Sequence, residues 1–344
     1  MTAPLAVLGT GMMTGVGLSA PASCAAIRGG INNFKETRFI GRGGDWIVGS
    51  EVPLDEPWRG STKLAKIAAS AVRECLESAV KPRANMPIPL ILCVAEEHRP
   101  GRLPGLGGPL LFEIERELGV KFHSESSVIA QGRVGGAVAV LRAQKLIHER
   151  HHSYVIIAGV DSYLSGSTLA GFEQSDRLLT ASNSDGFVPG EAAAAILLGG
   201  GATAPANPLT CIGLGFARES ASIGSDQPLR GDGMVEAIKA ALSAAGMSLE
   251  RIDHRIADVS GEQYRFKEAA LAVARILRER KATFGIWHPA DCIGEVGAAT
   301  LPAMLGIIYY SALKRYLPGS TLLAHLSNDD DKRAALVLSA QSAP

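Results

Sequence analysis

AQGRVGGAVAVLRAQKLI, residues 130–147, sets a short loop and a glycine pair ahead of a run that is apolar nearly all round. The Gly-rich start of a buried helix is a common seat for a nucleophile, because free backbone N–H groups there favour an anion such as a thiolate. The loop offers Gln131 and Arg133, and no Cys, Ser or Lys. A guanidinium carries donors only and stays protonated, so it attacks nothing.

Other reactive side chains are weighed the same way. Cys24, Cys75 and Cys93 fall within helices or strands, where packing is the default role. Cys292 lies beside Asp291, with His288 four residues back, and is a candidate displaced nucleophile. Ser260 would need a base, and none is evident in sequence. His148, His151 and His152 read as basic residues closing a helix rather than as metal ligands. Gly9-x-Gly11-x-x-x-Gly15 imitates a dinucleotide turn, but the chain continues through IRGGINNFKET with no second strand and acidic residue, so a structural turn is expected. SNDDDKR, residues 327–333, reads as a solvated turn between strands, or a recognition loop at the mouth of a cleft. Nothing points to a metal or a cofactor.

Composition narrows the partners. Of 344 residues 34 are Lys or Arg and 34 Asp or Glu, so net charge is zero and neither nucleic acid nor an anionic membrane is indicated. Five cysteines without a CxxC argue for a reducing compartment and against a disulfide frame or zinc site. MTAPLAVLGTG lacks the basic and long apolar regions of a signal peptide, and a cytoplasmic protein is expected.

These side chains must be positioned by layers. Strands are expected at 5–9, 90–95, 127–130, 154–159, 209–215, 255–260, 282–287, 321–326 and 334–339, alternating with helices at 61–79, 135–150, 234–245, 267–280 and 296–316. That alternation indicates an α/β fold. One pattern occurs twice. KLAKIAASAVRECLESAV precedes IPLILCVAEE as MVEAIKAALSAAG precedes HRIADVSG. RVGGAVAVLRAQKLI leads to YVIIAGVDS as GEVGAATLPAMLGIIYY leads to TLLAHLSN. Two nearly wholly apolar helices with small residues at their starts should lie buried against each other. Two half-domains follow, 1–203 and 204–344, joined near the linker-like GGGATAPANP, residues 199–208.

Four segments carry a family resemblance: LAVLGTGMMTGVGLSAPASCAAIRGG, YVIIAGVDSYLS, SDRLLTASNSDGFVPGEAAAAILLGG and MVEAIKAALSAAGMSLERID. Together they resemble the thiolase-like condensing enzymes, and within them the β-ketoacyl-ACP synthases, over nearly the whole chain. The resemblance implies a thiolase-like fold, two duplicated half-domains in α-β-α-β-α layers around two central buried helices. It also implies a Cys nucleophile at the first buried helix and two His on second-half loops. Anchored on Gly136, the Cys position falls on Arg133, or on Gln131 if the loop shifts by two. The His positions fall on Ser260 and Asp291. Two pantetheine-contacting threonines become Glu262 and Tyr264, and the Phe-Gly-Gly loop becomes Ser327–Asp331. Phe187, Glu191, Gly294 and Gly297 match family positions near the cleft, with Glu191 structural.

A cation buried at a helix start needs a counter-charge. The expectation is therefore a charge cluster of Arg133 with Asp291 or Glu262, filling the cleft and leaving no catalytic residue. The resemblance then implies a non-catalytic binding protein. It would be a homodimer, a heterodimer with a related synthase, or an adaptor or chaperone for a protein client such as a bacterial secretion effector, with acyl carrier protein or CoA binding disfavoured. The alternative is a divergent β-ketoacyl-ACP synthase, acyl-thioester transferase or decarboxylase working through Gln131.

Overall fold

The computed structural model describes residues 4–79, 87–200 and 209–340. The first half runs β1 (Leu5–Thr14), α1 (Ala20–Arg28), β2 (Lys35–Ile40), β3 (Trp46–Gly49), α2 (Gly60–Ser78), β4 (Leu90–Val94), α3 (Gly108–Leu118), β5 (Ser127–Ala130), α4 (Gly132–His148), β6 (Tyr154–Ser162), α5 (Gly166–Gln174) and β7 (Glu191–Gly200). The second runs β8 (Thr210–Arg218), α6 (Asp232–Ala245), β9 (His254–Ala257), α7 (Gln263–Ile276), β10 (Ile286–Trp287), α8 (Ala290–Ile293), α9 (Thr300–Leu313), β11 (Thr321–Ser327) and β12 (Lys332–Ser339). Residues 201–208, which hold most of the expected linker and the 203/204 boundary, lie outside the described residues.

Sheet order exposes the duplication. The strands run β10-β9-β11-β12-β8-β1-β7-β6-β4-β5. β2 and β3 form a separate two-stranded sheet; of the five strands each half gives to the large sheet, the order outward from the centre is first, fifth, fourth, second and third. In both halves the first three of these are joined antiparallel and the outer pairs are parallel. The central strands of the two halves pair where Leu5 and Ala6 lie opposite Cys211 and Thr210.

The cores show five layers. α2 and α3 cover the outer face of the first half-sheet through Leu64, Ile67, Leu110 and Ile114. α6 covers the outer face of the second through Met234, Ile238 and Leu242. Between the half-sheets lie α4 and α9, whose Val134, Val140, Leu301 and Ile308 share one core with both. At their crossing, a Cβ on Gly136 would sit 2.7 Å from Leu301 Cβ. A glycine there lets the two helices approach closely.

Three expectations change. Gly9 and Gly11 are not a turn but lie inside β1, where α2 crosses so closely that a Cβ on Gly11 would fall 2.0 Å from the Ala71 carbonyl oxygen. EAAAAILLGG, part of the segment compared with a family loop, is β7, buried over nearly its whole length with a helix on each face. Alanine is a weak strand former, and packing on both faces decides the outcome. The expected strand at 282–287 shrinks to Ile286–Trp287. Among the described residues no helix is long and apolar enough to cross a membrane.

Gly136→Ala should lower unfolding free energy by about 1–3 kcal/mol, because a methyl at a closed crossing forces the helices apart; urea denaturation of the two forms measures it.

Candidate functional site

β5 ends at Ala130 and α4 begins at Gly132, so Gln131 and Arg133 stand at the carboxyl end of the first half-sheet, facing the corresponding end of the second. The α4 amides are served by Asn328, at the end of β11. Its side-chain oxygen accepts the Val134 N–H at 3.0 Å, and its amide donates to the Gln131 carbonyl at 3.0 Å. The anion expected at this helix start is thus replaced by a neutral acceptor. Arg133 is free to point its charge elsewhere.

Arg133 is buried and surrounded by acid. Its Nη1 donates to Glu295 at 2.8 Å, its Nη2 pairs with Asp329, and its Nε lies 3.9 Å from Asp258. Asp329 also takes Nη1 of Arg177 at 2.7 Å and the Arg265 guanidinium. Arg177 forks onto Glu262 with both bonds below 3 Å, at 2.6 and 2.9 Å, while Arg265 reaches the same carboxylate at 3.2 Å. Three guanidiniums therefore meet four carboxylates. Arg177 rests over the rings of Phe172 and Phe187, which pack edge-to-face with each other and share a cluster with Tyr163. A second cluster adjoins the first: Arg99 pairs with Glu96 and Asp161 over the Tyr163 ring.

Charge is distributed unevenly among the acids. Burial opposes ionisation of Asp329, but Arg133, Arg265 and Arg177 hold its carboxyl well below the usual range. Burial dominates at Asp258, and its carboxyl is raised to about 6 despite Arg265 and Arg133. The same cause raises Asp161 against the pull of Arg99.

Glu262 joins the network through Arg177, Arg265 and their common partner Asp329, not by direct pairing with Arg133. Asp291 does not join. It lies on the short α8, exposed, with its carboxylate 2.8 Å from His288 Nδ1. Glu295 and Asp258 take the place expected for it. Neither was found from sequence, since the aligned loop positions gave no cue that the chain would present Glu295 four residues later. Asp329, read within a solvated turn, is the centre of the network; only its neighbours Asp330 and Asp331 pair outward, with Lys332 and Arg218. Ser260 is buried and its hydroxyl has no partner. Gly294 and Gly297 adopt positive φ in the loop before α9, where the Gly297 N–H donates to Glu295 and Ala298 N–H to Asp161, both at 2.9 Å. Glu191 pairs with buried Lys63 at 2.7 Å and accepts the Val52 N–H, away from the network.

Above the network opens a cleft of about 780 Å³ whose walls include Gln131, Arg133, Arg177 and Asp329. No cysteine is among its lining residues. All five thiols are free and buried. Burial pushes Cys24, Cys93 and Cys211 to about 12 and raises Cys75 and Cys292 as well. Cys292 opens instead on a separate cavity of about 710 Å³ beside α1, where its Sγ faces the Ile27 carbonyl at 4.0 Å.

No family model matches the chain, and no curated protein does. Solved structures do. A ketosynthase in complex with its chain length factor from Xenorhabdus doucetiae superposes with a TM-score of 0.77 at 16% identity, covering 98% of both chains. The ishigamide ketosynthase/chain length factor gives 0.81 at 17%, covering 99% of this chain and 100% of that one. A type II polyketide acyl-carrier protein complex with its hexaketide-bound ketosynthase gives 0.80 at 15%, with the same coverage. The fold is thiolase-like. Within the thiolase-like fold, the two central buried helices are α4 and α9, and the charge network occupies the end of the first.

Asp329→Ala leaves three guanidiniums facing a reduced set of acids and should destabilise the protein by about 3–5 kcal/mol, against less than about 0.5 kcal/mol for the exposed Asp291→Ala; chemical denaturation compares them. The pH profile separates the acids. Because Asp258 holds its proton more tightly folded than unfolded, its contribution favours folding near pH 4 and fades as pH rises to about 6. Asp329 acts oppositely, its contribution being present above about pH 4 and lost on further acidification. Asp258→Asn should flatten stability between pH 4 and 6, a change of up to about 3 kcal/mol, and leave the acid limb in place; thermal melts across pH read both.

Proposed function

We propose that this chain is a non-catalytic ketosynthase-like subunit that works by pairing with a related, active synthase. One observation carries the reading: Arg133, at the position the family resemblance gives to the nucleophilic Cys, is held by Glu295 and Asp329 on the floor of the cleft. A guanidinium fixed in this way cannot attack a thioester, and no thiol lines the cleft to replace it. The resemblance places the family's histidines at Ser260 and Asp291, neither of which supplies a base to this cleft.

Pairing is supported from two sides. Neighbouring structures include ketosynthases described together with their chain length factors. Among the described residues β5 ends the sheet, with β4 on one side and no strand on the other, and Val128, Ile129 and Ala130 line the cleft beside it. A sheet edge with free N–H and C=O groups is suited to pairing with a strand of another subunit. A partner seated there would cover the cleft.

A second reading, a divergent acyl-thioester decarboxylase, keeps one observation in its favour: Gln131 lines the cleft. Two measurements separate the readings. Purification from the native host should recover a ketosynthase-like protein in about 1:1 ratio, and a cysteine-directed condensing-enzyme inhibitor should leave this chain unlabelled while labelling its partner. A stoichiometric adduct on this chain, or turnover of a malonyl thioester by the purified chain that Gln131→Ala abolishes, refutes the proposal.

A further inference from the structure

At the opposite end of α4 from Arg133, roughly 24 Å away along a 17-residue helix, two turns bring His123, Glu125 and His152 together. His152 Nε2 lies 2.6 Å from a Glu125 carboxylate oxygen, and His123 Nδ1 lies 3.9 Å from the same oxygen. The two imidazoles meet edge-to-face at 4.6 Å, and one ligand atom from each of the three residues lies within 4.8 Å of the others. Among the described residues this is the one such group. We propose that His123, Glu125 and His152 bind a divalent transition-metal cation, zinc foremost, clipping the turn before β5 to the turn before β6.

The donor set selects the ion. Two imidazoles and one carboxylate suit zinc and its first-row neighbours, whereas magnesium and calcium take oxygen ligands. Bonds of about 2.0–2.1 Å in a tetrahedron put ligand atoms about 3.3 Å apart. The 2.6 Å contact would open and the 3.9 Å one close, each by less than about 1 Å. A fourth position stays open to water on this half-exposed surface.

The backbone holds both turns in place without an ion. The His123 N–H donates to the Ile88 carbonyl, and Ser126 bonds back to the His123 carbonyl through both its N–H and hydroxyl. The His152 N–H donates to Leu146 O at 3.0 Å, and His151 takes φ +61° beside it, so the chain reverses sharply after α4. His123 Nδ1 accepts a 3.2 Å bond from the Glu125 N–H, and an ion bound at Nδ1 would displace that bond to take the nitrogen's single lone pair. The competing cation, Arg150, stands 3.9 Å from the other Glu125 oxygen and is exposed enough to swing away. Of the three histidines read in sequence as closing α4, only His148 lies in its last turn; His152 faces a carboxylate from a distant segment.

The test is a calorimetric titration of tag-free, chelator-treated protein with zinc chloride at pH 7.5. The expected result is one ion per chain and a raised melting temperature. His123→Ala and His152→Ala should each weaken binding at least tenfold, the double variant should bind none, and Glu125→Gln should bind more weakly while keeping the wild-type circular dichroism. His148→Ala should bind zinc like wild type. Absence of a saturable site, or a site that the double variant retains, overturns the proposal.

Discussion

Asp329 receives guanidiniums from both halves of the molecule, Arg133 and Arg177 from the first and Arg265 from the second. α4 and α9 pack against both half-sheets in one apolar core, and at the start of α4 these polar contacts join the halves as well. Ions buried this deeply are costly to desolvate, and an apolar plug of the same volume would give comparable stability. What the ions add is mutual dependence. Asp329 is shared by three arginines and Glu262 by two, and each arginine reaches at least two acids. A shift of either half would therefore strand several charges at once.

That dependence explains why the network was only partly legible. Arg133 could be singled out from a helix start, because its cost there is local and predictable. Its partners could not, since Glu295 and Asp329 reach it from segments 162 and 196 residues away. SNDDDKR carries three consecutive acids and reads as solvated, yet its first acid turns inward onto three arginines while the next two pair outward. Nothing in the composition of the run marks the break. The β11–β12 register does so by placing Asn328 and Asp329 over the start of α4. Arg177 was quoted within the family-like loop and drew no notice, because a lone arginine in a polar loop is usually exposed.

The fold was more legible than the site for a related reason. Repeated apolar helices and strands carry their information in local periodicity, and the duplicated order of strands follows from it. Where alanine and glycine replace branched residues, as along β1 and β7, periodicity fails. There the strand is specified by the helices crossing it, through contacts such as Gly11 with Ala71 that only small residues permit.

The network also accounts for the hydrogen-bond donors of the cleft. A site that stabilises a developing oxyanion needs free N–H groups aimed at it. The groups with the best claim are the amides at the start of α4 and in the Gly297–Ala299 turn before α9. Val134 N–H is taken by Asn328, Gly297 N–H by Glu295 and Ala298 N–H by Asp161. Glu295 thereby occupies two roles at once, pairing with Arg133 and capping the turn. The arginines, for their part, direct their forks at carboxylates rather than into the open cleft. A thioester entering would meet donors already engaged and a Ser260 hydroxyl with no base beside it. To free any of these groups a carboxylate would have to leave its arginine. The feature that ties the halves together is thus the same one that engages these donors.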